Sequence, residues 1–485
     1  MSRIRILLCA SLACSALACG AVGAGQAQAS TSQKLYFEAP MDLLNPSTRP
    51  HALVQLQTLG VKALRVELNW YSVAPAPTGA TKPSFEAKNP GSYAWGQYAI
   101  LLAEAKRLGW QVLLTVTSPV PRWATSNHKA PYTTRPDDRD FEEFMTAVAS
   151  EFGSEVSVYS IWNEPNEAAY LMPQWKSNGK PASGFIYRGL YQAGYAGLKA
   201  GGLAQPKVLF GETSPTGYDT VTSLLRSEKA RALTHPVAPL AFMREALCLN
   251  AKYRKSGSCS ELQMSGYAHH AYYPAAGPYY VWSQKDSVTI ASLSRLSNAL
   301  NLAARAHAIP GGIPIYLTEF GVQSRPNKYE GVSVAKQAEY DAISEHMAYD
   351  NPRVAAFSQY LLKDDPTSGR LTGSAIGGFV GFQTGLEYVS GARKPLYYGF
   401  PVPLTVTKRG HGFSLWGLVR PATGATKVTV LIEPKGSHHY RTLKTLTTHS
   451  NGYWALHSST KGVSWRVRWI SPANVKYEGP PIHAY

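Results

Sequence analysis

The chain has 485 residues, 44% of them hydrophobic and only 16% charged, which is enough apolar material for a large core and too little charge for a disordered polyelectrolyte. Lys and Arg outnumber Asp and Glu by 48 to 31, a formal +17, and aromatics make up 11% with 29 Tyr and 11 Trp. This composition excludes coiled coil, collagen and intrinsic disorder, whereas nucleic-acid binding has to be judged from where the charge lies.

Residues 1–29 read as a secretory signal. Arg3 and Arg5 precede an apolar run from Ile6 to Val22, and Ala27-Gln28-Ala29 supplies a small-x-small cleavage site, so the mature chain is expected to start at Ser30. A membrane anchor is the alternative, but the stretch lacks bulky residues in its second half and a basic stop after it. A lipid-modified Cys19 is disfavoured by the preceding Ala16-Leu17-Ala18. No later run reaches the roughly 18 apolar residues of a membrane helix. The expected location is therefore extracellular or associated with the cell envelope. Three of the five cysteines leave with the signal; Cys248 and Cys259 remain, flanking a polar stretch, and are expected to form a disulfide closing one surface loop. A metal or redox pair would need a C-x-x-C spacing or adjacent histidines, which are lacking here.

After the leader, short apolar runs alternate with amphipathic stretches. Strands are expected at Leu35–Phe37, Ala63–Leu68, Gln111–Val116, Val156–Ile161, Lys207–Gly211, Met264–Ala268, Ile313–Leu317 and Val354–Gln359. Helical patterns lie between them, among them Tyr98–Leu108, Asp140–Glu151, Gly184–Ala200 and Val288–His307. Eight buried strands separated by helices predict an α/β fold, a (β/α)8 TIM barrel over residues 30–401. That span exceeds the typical barrel of about 250 residues, so long loops are expected at Tyr71–Gly91, Tyr170–Ser183 and Thr213–His235. Beyond Pro401 helical periodicity gives way to short alternating runs such as Lys427–Glu433 and Ser464–Ile470. In the second run Trp465, Val467 and Trp469 share one face while Arg466 and Arg468 take the other. Residues 402–485 therefore read as a small all-β sandwich.

Two strand ends carry carboxylates. The fourth predicted strand runs into Trp162-Asn163-Glu164-Pro165-Asn166, where the proline ends regular structure behind the acid. The seventh leads through Thr318 into Glu319-Phe320-Gly321. Glycoside cleavage needs such a pair, one carboxyl protonated to assist the leaving oxygen and one ionised to meet the developing oxocarbenium ion.

With these motifs the span 34–400 resembles the clan A retaining glycoside hydrolases, in a family 5- or family 39-like form; the segments IWNEPN and YLTEFG match the clan pattern. The resemblance implies Glu164 as acid/base, Glu319 as nucleophile, Asn163 as the amide holding the sugar 2-hydroxyl, and Arg65 as the arginine that orients the nucleophile and keeps it ionised. In Tyr267-Ala268-His269-His270-Ala271-Tyr272 the clan's His-x-Tyr spacing falls on His270 and Tyr272. Tyr272 is then expected to donate to Glu319 and His270 to line the sugar site, with His269 as the alternative cavity-facing residue. The pattern departs from family 5 cellulases at Thr115-Val116-Thr117-Ser118-Pro119, which lacks a histidine, and at Ser358-Gln359-Tyr360-Leu361, which lacks the platform tryptophan. Candidate stacking rings are Trp70, Trp123, Trp162, Tyr273 and Trp282, with Trp70 and Trp123 favoured.

The function expected is a retaining glycosidase acting on a poly- or oligosaccharide, with no metal or organic cofactor, since acid/base and covalent catalysis need neither. A non-catalytic polysaccharide- or wall-binding protein on a degenerate barrel is the alternative, although degeneracy should have cost a carboxylate. Residues 402–485 hold 11 Lys and Arg against 2 Asp and Glu, so most of the positive charge belongs to the small domain, and no nucleic-acid module is visible. That basic domain, with Trp416, Trp454, Trp465 and Trp469, is read either as a surface for an anionic envelope or acidic polysaccharide, or as a structural appendage packed on the barrel.

Overall fold

The structure, a computed structural model, describes residues 32–226, 229–366 and 381–485. The expected leader, residues 1–29, lies outside them. Eight parallel strands close into a barrel in sequence order: β1 (Lys34–Glu38), β2 (Ala63–Asn69), β3 (Gln111–Thr117), β4 (Val158–Ile161), β5 (Val208–Thr213), β6 (Gly266–His270), β7 (Ile315–Glu319) and β8 (Val354–Tyr360). β8 pairs back onto β1 from Lys34↔Ala356 to Glu38↔Tyr360. Helices follow the strands in turn: α1 (Arg49–Thr58), α2 (Gly96–Arg107), α3 (Asp138–Phe152), α4 (Ser183–Ala200), α5 (Pro239–Ala246), α6 (Leu293–Arg305), α7 (Val334–Tyr349) and the short α8 (Pro395–Gly399).

Each helix forms for local reasons. In α3 the Asp137 side chain accepts from the Asp140 amide and starts the helix, and Phe141, Phe144, Met145, Val148 and Phe152 fall on the buried stripe. Expected helix Val288–His307 starts later, at Leu293, because Thr289 and Ser292 cap a separate 3-10 turn, Ile290–Ser292. The apolar core wraps the outside of the barrel, where helices pack on strands. Inside, Tyr36, Ala63, Leu113, Val158, Leu209, Ala268 and Ala356 form a separate plug. Toward the strand C-termini that interior turns from apolar to charged.

Strands β5, β6 and β7 run two residues further than their apolar patterns, to Thr213, His270 and Glu319. Pairing slips register near these ends, between Gly211 and Thr213 and between Ala268 and His270. Such bulges re-aim side chains, so polar residues that read as loop become the last rungs of the barrel. The three long connections expected from the sequence all follow strand C-termini and share the mouth with them.

Beyond the barrel lie seven antiparallel strands: β9 (Leu404–Arg409), β10 (Gly412–Leu418), β11 (Lys427–Glu433), β12 (Arg441–Thr447), β13 (Tyr453–Ser458), β14 (Ser464–Ile470) and β15 (Lys476–Glu478). They make a three-stranded sheet, β13-β10-β9, and a four-stranded one, β12-β11-β14-β15, that share a core of Val406, Leu415, Val430, Ile432, Trp454, Trp465 and Val467. On β14 Trp465, Val467 and Trp469 are buried as the alternation predicts, and Arg466 and Arg468 reach Glu478 on β15. All four tryptophans of this region are buried. Trp465, Trp454 and Trp469 fill its core, and Trp416 stacks on His346 of α7 at 4.5 Å. They are therefore unavailable as a binding surface, a correction to that part of the sequence reading. Arg420 grips Glu345 of α7 with contacts at 2.8 and 3.0 Å, tying the sandwich to the barrel's flank. At Gly60 the chains approach so closely that a Cβ would lie 2.6 Å from the Pro421 nitrogen, and φ is +86°, so glycine is required. No helix among the described residues is long and apolar enough to cross a membrane.

Candidate active site

The charged end of the barrel is organised around Arg65 on β2, which is buried. One face of its guanidinium reaches Glu319 on β7, with Nη1 3.1 Å from Oε2, and the same nitrogen donates to Glu38 at the tip of β1. Nη2 donates to Glu67 (3.0 Å), to Asn163 Oδ1 (2.8 Å) and to Glu212 Oε2 (2.9 Å). A guanidinium can only donate, so the Asn163 oxygen must face Arg65. The Asn163 amide hydrogens then have no partner among the described residues. The Asn163 backbone is itself pinned, its N–H donating to Thr117 Oγ1 at 3.0 Å.

Glu319 is held from two sides. Tyr272 donates to its Oε1 at 2.8 Å while Arg65 takes Oε2, leaving 10% of the side chain exposed toward the mouth. Burial pushes its carboxyl above the usual range, and His270 and Arg65 pull it back down. The sequence reading expected the guanidinium to dominate; burial outweighs it, and three other carboxylates share that one cation.

Glu164 follows β4 in a left-handed conformation, φ +38°, next to Trp162 at φ +72°. Its Oε1 lies 2.9 Å from His270 Nδ1, and 17% of the side chain is exposed. Burial lifts its carboxyl to about 7, against the pull of Arg65 and with a further push from Glu212. The same His270 nitrogen stands 3.9 Å from Glu319 Oε2, so one imidazole sits between the two carboxylates. Burial holds His270 below its ordinary pKa, against the pull of Glu319. His269, the alternative, points away from the mouth: its nitrogens meet Thr213 Oγ1 and the Val288 carbonyl, both at 3.0 Å.

The structure thus brings together Arg65, Asn163, Glu164, His270, Tyr272 and Glu319. It does not bring Trp70 or Trp123. Directly after β2 the chain turns into one helical turn, Trp70–Val73, that drops Trp70 into the core, stacked on Phe144 at 5.1 Å. Trp123 packs edge-on against it and under Lys82. Neither offers a face to a sugar. Trp162 is likewise buried, and the Tyr273 hydroxyl is tied to Ser344 of α7. An aromatic ring that does stand open beside Tyr272 is Phe382, 38% exposed, with its centroid 6.2 Å from Tyr272 and 5.2 Å from Tyr360.

Sequence reasoning missed Glu38, Glu67, Glu212 and Phe382. Glu67 had a signal, lying two residues after Arg65 and so on the same strand face. Glu38 and Glu212 each stand one residue past an expected strand end, where barrel chemistry collects. Glu38, Glu67 and Glu319 bring their oxygens within 4.8 Å of one another, close enough to share a cation. Each already accepts from Arg65, whose charge occupies that role. The disulfide between Cys248 and Cys259 is present, with Cα atoms 6.1 Å apart, on a connection from α5 to β6 at the opposite end of the barrel.

No protein-family model matches the chain, and neither does any curated protein. Among solved structures the chain is similar to a glucosidase from Croceicoccus marinus, at 10% identity and a TM-score of 0.51 over 91% of this chain and 97% of that one. It is also similar to a family 39 glycoside hydrolase from the gut symbiont Bacteroides cellulosilyticus WH2, at 14% identity and a TM-score of 0.49 over 89% and 79%. At these identities the likeness to the glucosidase establishes a shared fold, a (β/α)8 barrel with its appended strands. What the barrel does has to be argued from its mouth.

Proposed function

We propose that this chain is a retaining glycoside hydrolase acting on a carbohydrate, with Glu319 as nucleophile and Glu164 as acid/base. The observation that carries this is the unequal treatment of two facing carboxylates. Glu319 receives two donors, Tyr272 and Arg65, which favour its charged form, whereas Glu164, lifted to about 7, keeps a proton to give near neutral pH. Their separation supports retention. Both oxygens are measured from His270 Nδ1, at 2.9 and 3.9 Å, so they reach the ~6.5–9.5 Å spacing of inverting enzymes only if the three atoms are nearly collinear. Any bend brings them toward the ~5–5.5 Å of covalent catalysis.

In the first step Glu319 attacks the anomeric carbon as Glu164 protonates the departing oxygen, forming a glycosyl ester. In the second, Glu164, now ionised, takes a proton from a water that attacks the same carbon and frees Glu319. The unpartnered Asn163 amide is placed to hold a sugar hydroxyl throughout, and Phe382 offers the ring face that Trp70 and Trp123 do not. Glu319→Ala should abolish hydrolysis of aryl glycosides, and Glu164→Gln should slow it about 10²- to 10⁴-fold. Undiminished turnover in either variant would end the assignment.

The leader pattern of residues 1–29 and the Cys248–Cys259 bridge support export. With its tryptophans buried, the sandwich has only charge to offer an anionic envelope or acidic polysaccharide, through exposed side chains such as Arg441 and Lys444 on edge strand β12. Replacing both with Gln should weaken co-sedimentation with an acidic polysaccharide at low salt; unchanged binding leaves the sandwich a purely structural partner.

A further inference from the structure

We propose that Glu212 is a positioning residue of this reaction, fixing Arg65 with its carboxylate and Glu164 with its backbone carbonyl. This rests on the glycosidase reading above. Arg65 meets four carboxylates, and three of them, Glu38, Glu67 and Glu319, each touch a single nitrogen. Glu212 alone takes the Nε edge: Oε2 accepts from Nη2 at 2.9 Å and Oε1 from Nε at 3.4 Å. Two contacts along one edge fix the plane of a guanidinium, where a single contact leaves it free to swing. With that plane set, Nη1 is directed at Glu319 and Nη2 at Asn163. Charge neutralisation does not explain a fourth carboxylate beside one cation; orientation does.

The backbone points the same way. Glu212 lies at the β5 bulge with φ +45° and is buried without exposure. Its carbonyl accepts the Glu164 N–H at 3.0 Å, and Glu164 is also left-handed. Non-glycine residues in that region persist where the surroundings over-determine them, and two such residues bonded to each other at adjacent strand tips set the direction in which Glu164 leaves β4. Thr115 on β3 completes the arrangement by donating to Glu212 Oε1 at 3.0 Å, which fixes the carboxylate before Arg65 is considered.

The test is Glu212→Gln, whose amide would present hydrogens to the guanidinium. Expected are a fold indistinguishable by circular dichroism, kcat lowered about 10- to 100-fold and KM changed by less than about threefold. The alkaline limb of the pH–rate profile should also move to lower pH, because Glu164 loses an anionic neighbour. Unchanged kcat, or a lowered kcat with an unmoved limb, overturns the proposal. Should this variant fail to fold, Thr115→Val decides: it keeps every charge and is expected to lower kcat several-fold without moving the limb, and wild-type kcat overturns the proposal. If the wild type turns over no glycoside at all, it is the glycosidase reading that fails. Glu212 is then judged on ¹³C-carboxyl titration of Glu164, where a downward displacement in Glu212→Gln supports it and coincident curves overturn it.

Discussion

Tyr272 supports the charge of Glu319 by donating to one of its oxygens. A hydrogen bond to the ionised form lowers a carboxyl pKa, and here it works against burial. Tyr272→Phe should therefore move the acidic limb of the pH–rate profile to higher pH and lower kcat about tenfold, within the range of one lost donor. A profile superimposable on the wild type would remove Tyr272 from the mechanism. This residue was legible in the sequence through the resemblance, whose His-x-Tyr pattern at a strand end falls on His270 and Tyr272. Trp70 was not. Its position after β2 looked right for a sugar platform, but a single helical turn reverses its direction, and ring orientation is decided by packing against Phe144, which lies 74 residues away on α3.

At the scale of elements, periodicity was informative where one face is wet and one dry. β11 and β14 begin and end where alternation placed them. The barrel strands, buried on both faces, show no alternation, and their patterns stop where polar side chains begin, two residues short of Thr213, His270 and Glu319. The charged tips are therefore invisible to a hydrophobic pattern although they form the candidate site. Contact between sandwich and barrel was equally hidden, since Glu345 and Arg420 are 75 residues apart and neither is unusual alone. Arg420→Ala would leave Glu345 buried without its partner, and should cost about 3–5 kcal/mol in chemical denaturation. The unfolding midpoint is the measurement, and one equal to the wild type would show that this pair does not hold the sandwich. Because the pair lies on the flank of α7, kcat of the folded fraction is expected to stay put.

For the molecule as a whole, the +17 of the sequence conceals a strongly acidic mouth, where Glu38, Glu67, Glu164, Glu212 and Glu319 gather around one arginine. Composition reports the sum and not the partition, so the mouth could not be read from it. Burial raises Glu164 and Asp341 to about 7 and Glu167 to about 8. In an unfolded chain such groups titrate near 4. Below about pH 4 both states hold these protons and the contribution to stability is complete; between about 4 and 7–8 only the folded state holds them, so stability falls with each step in pH. Melting temperature should decline from pH 5 to pH 8, and a flat profile would contradict the burial of these groups.

Glu164→Gln then has a second expected effect. A neutral side chain has no proton to lose, so the variant should melt above the wild type at pH 8 and match it more nearly at pH 5. The protein would be sturdier dead than alive. Glu164 also sits in a backbone conformation that glycine would adopt without strain. On the proposed assignment, activity and durability compete for the same position, and a search for thermostable variants that ignored turnover would erase the acid.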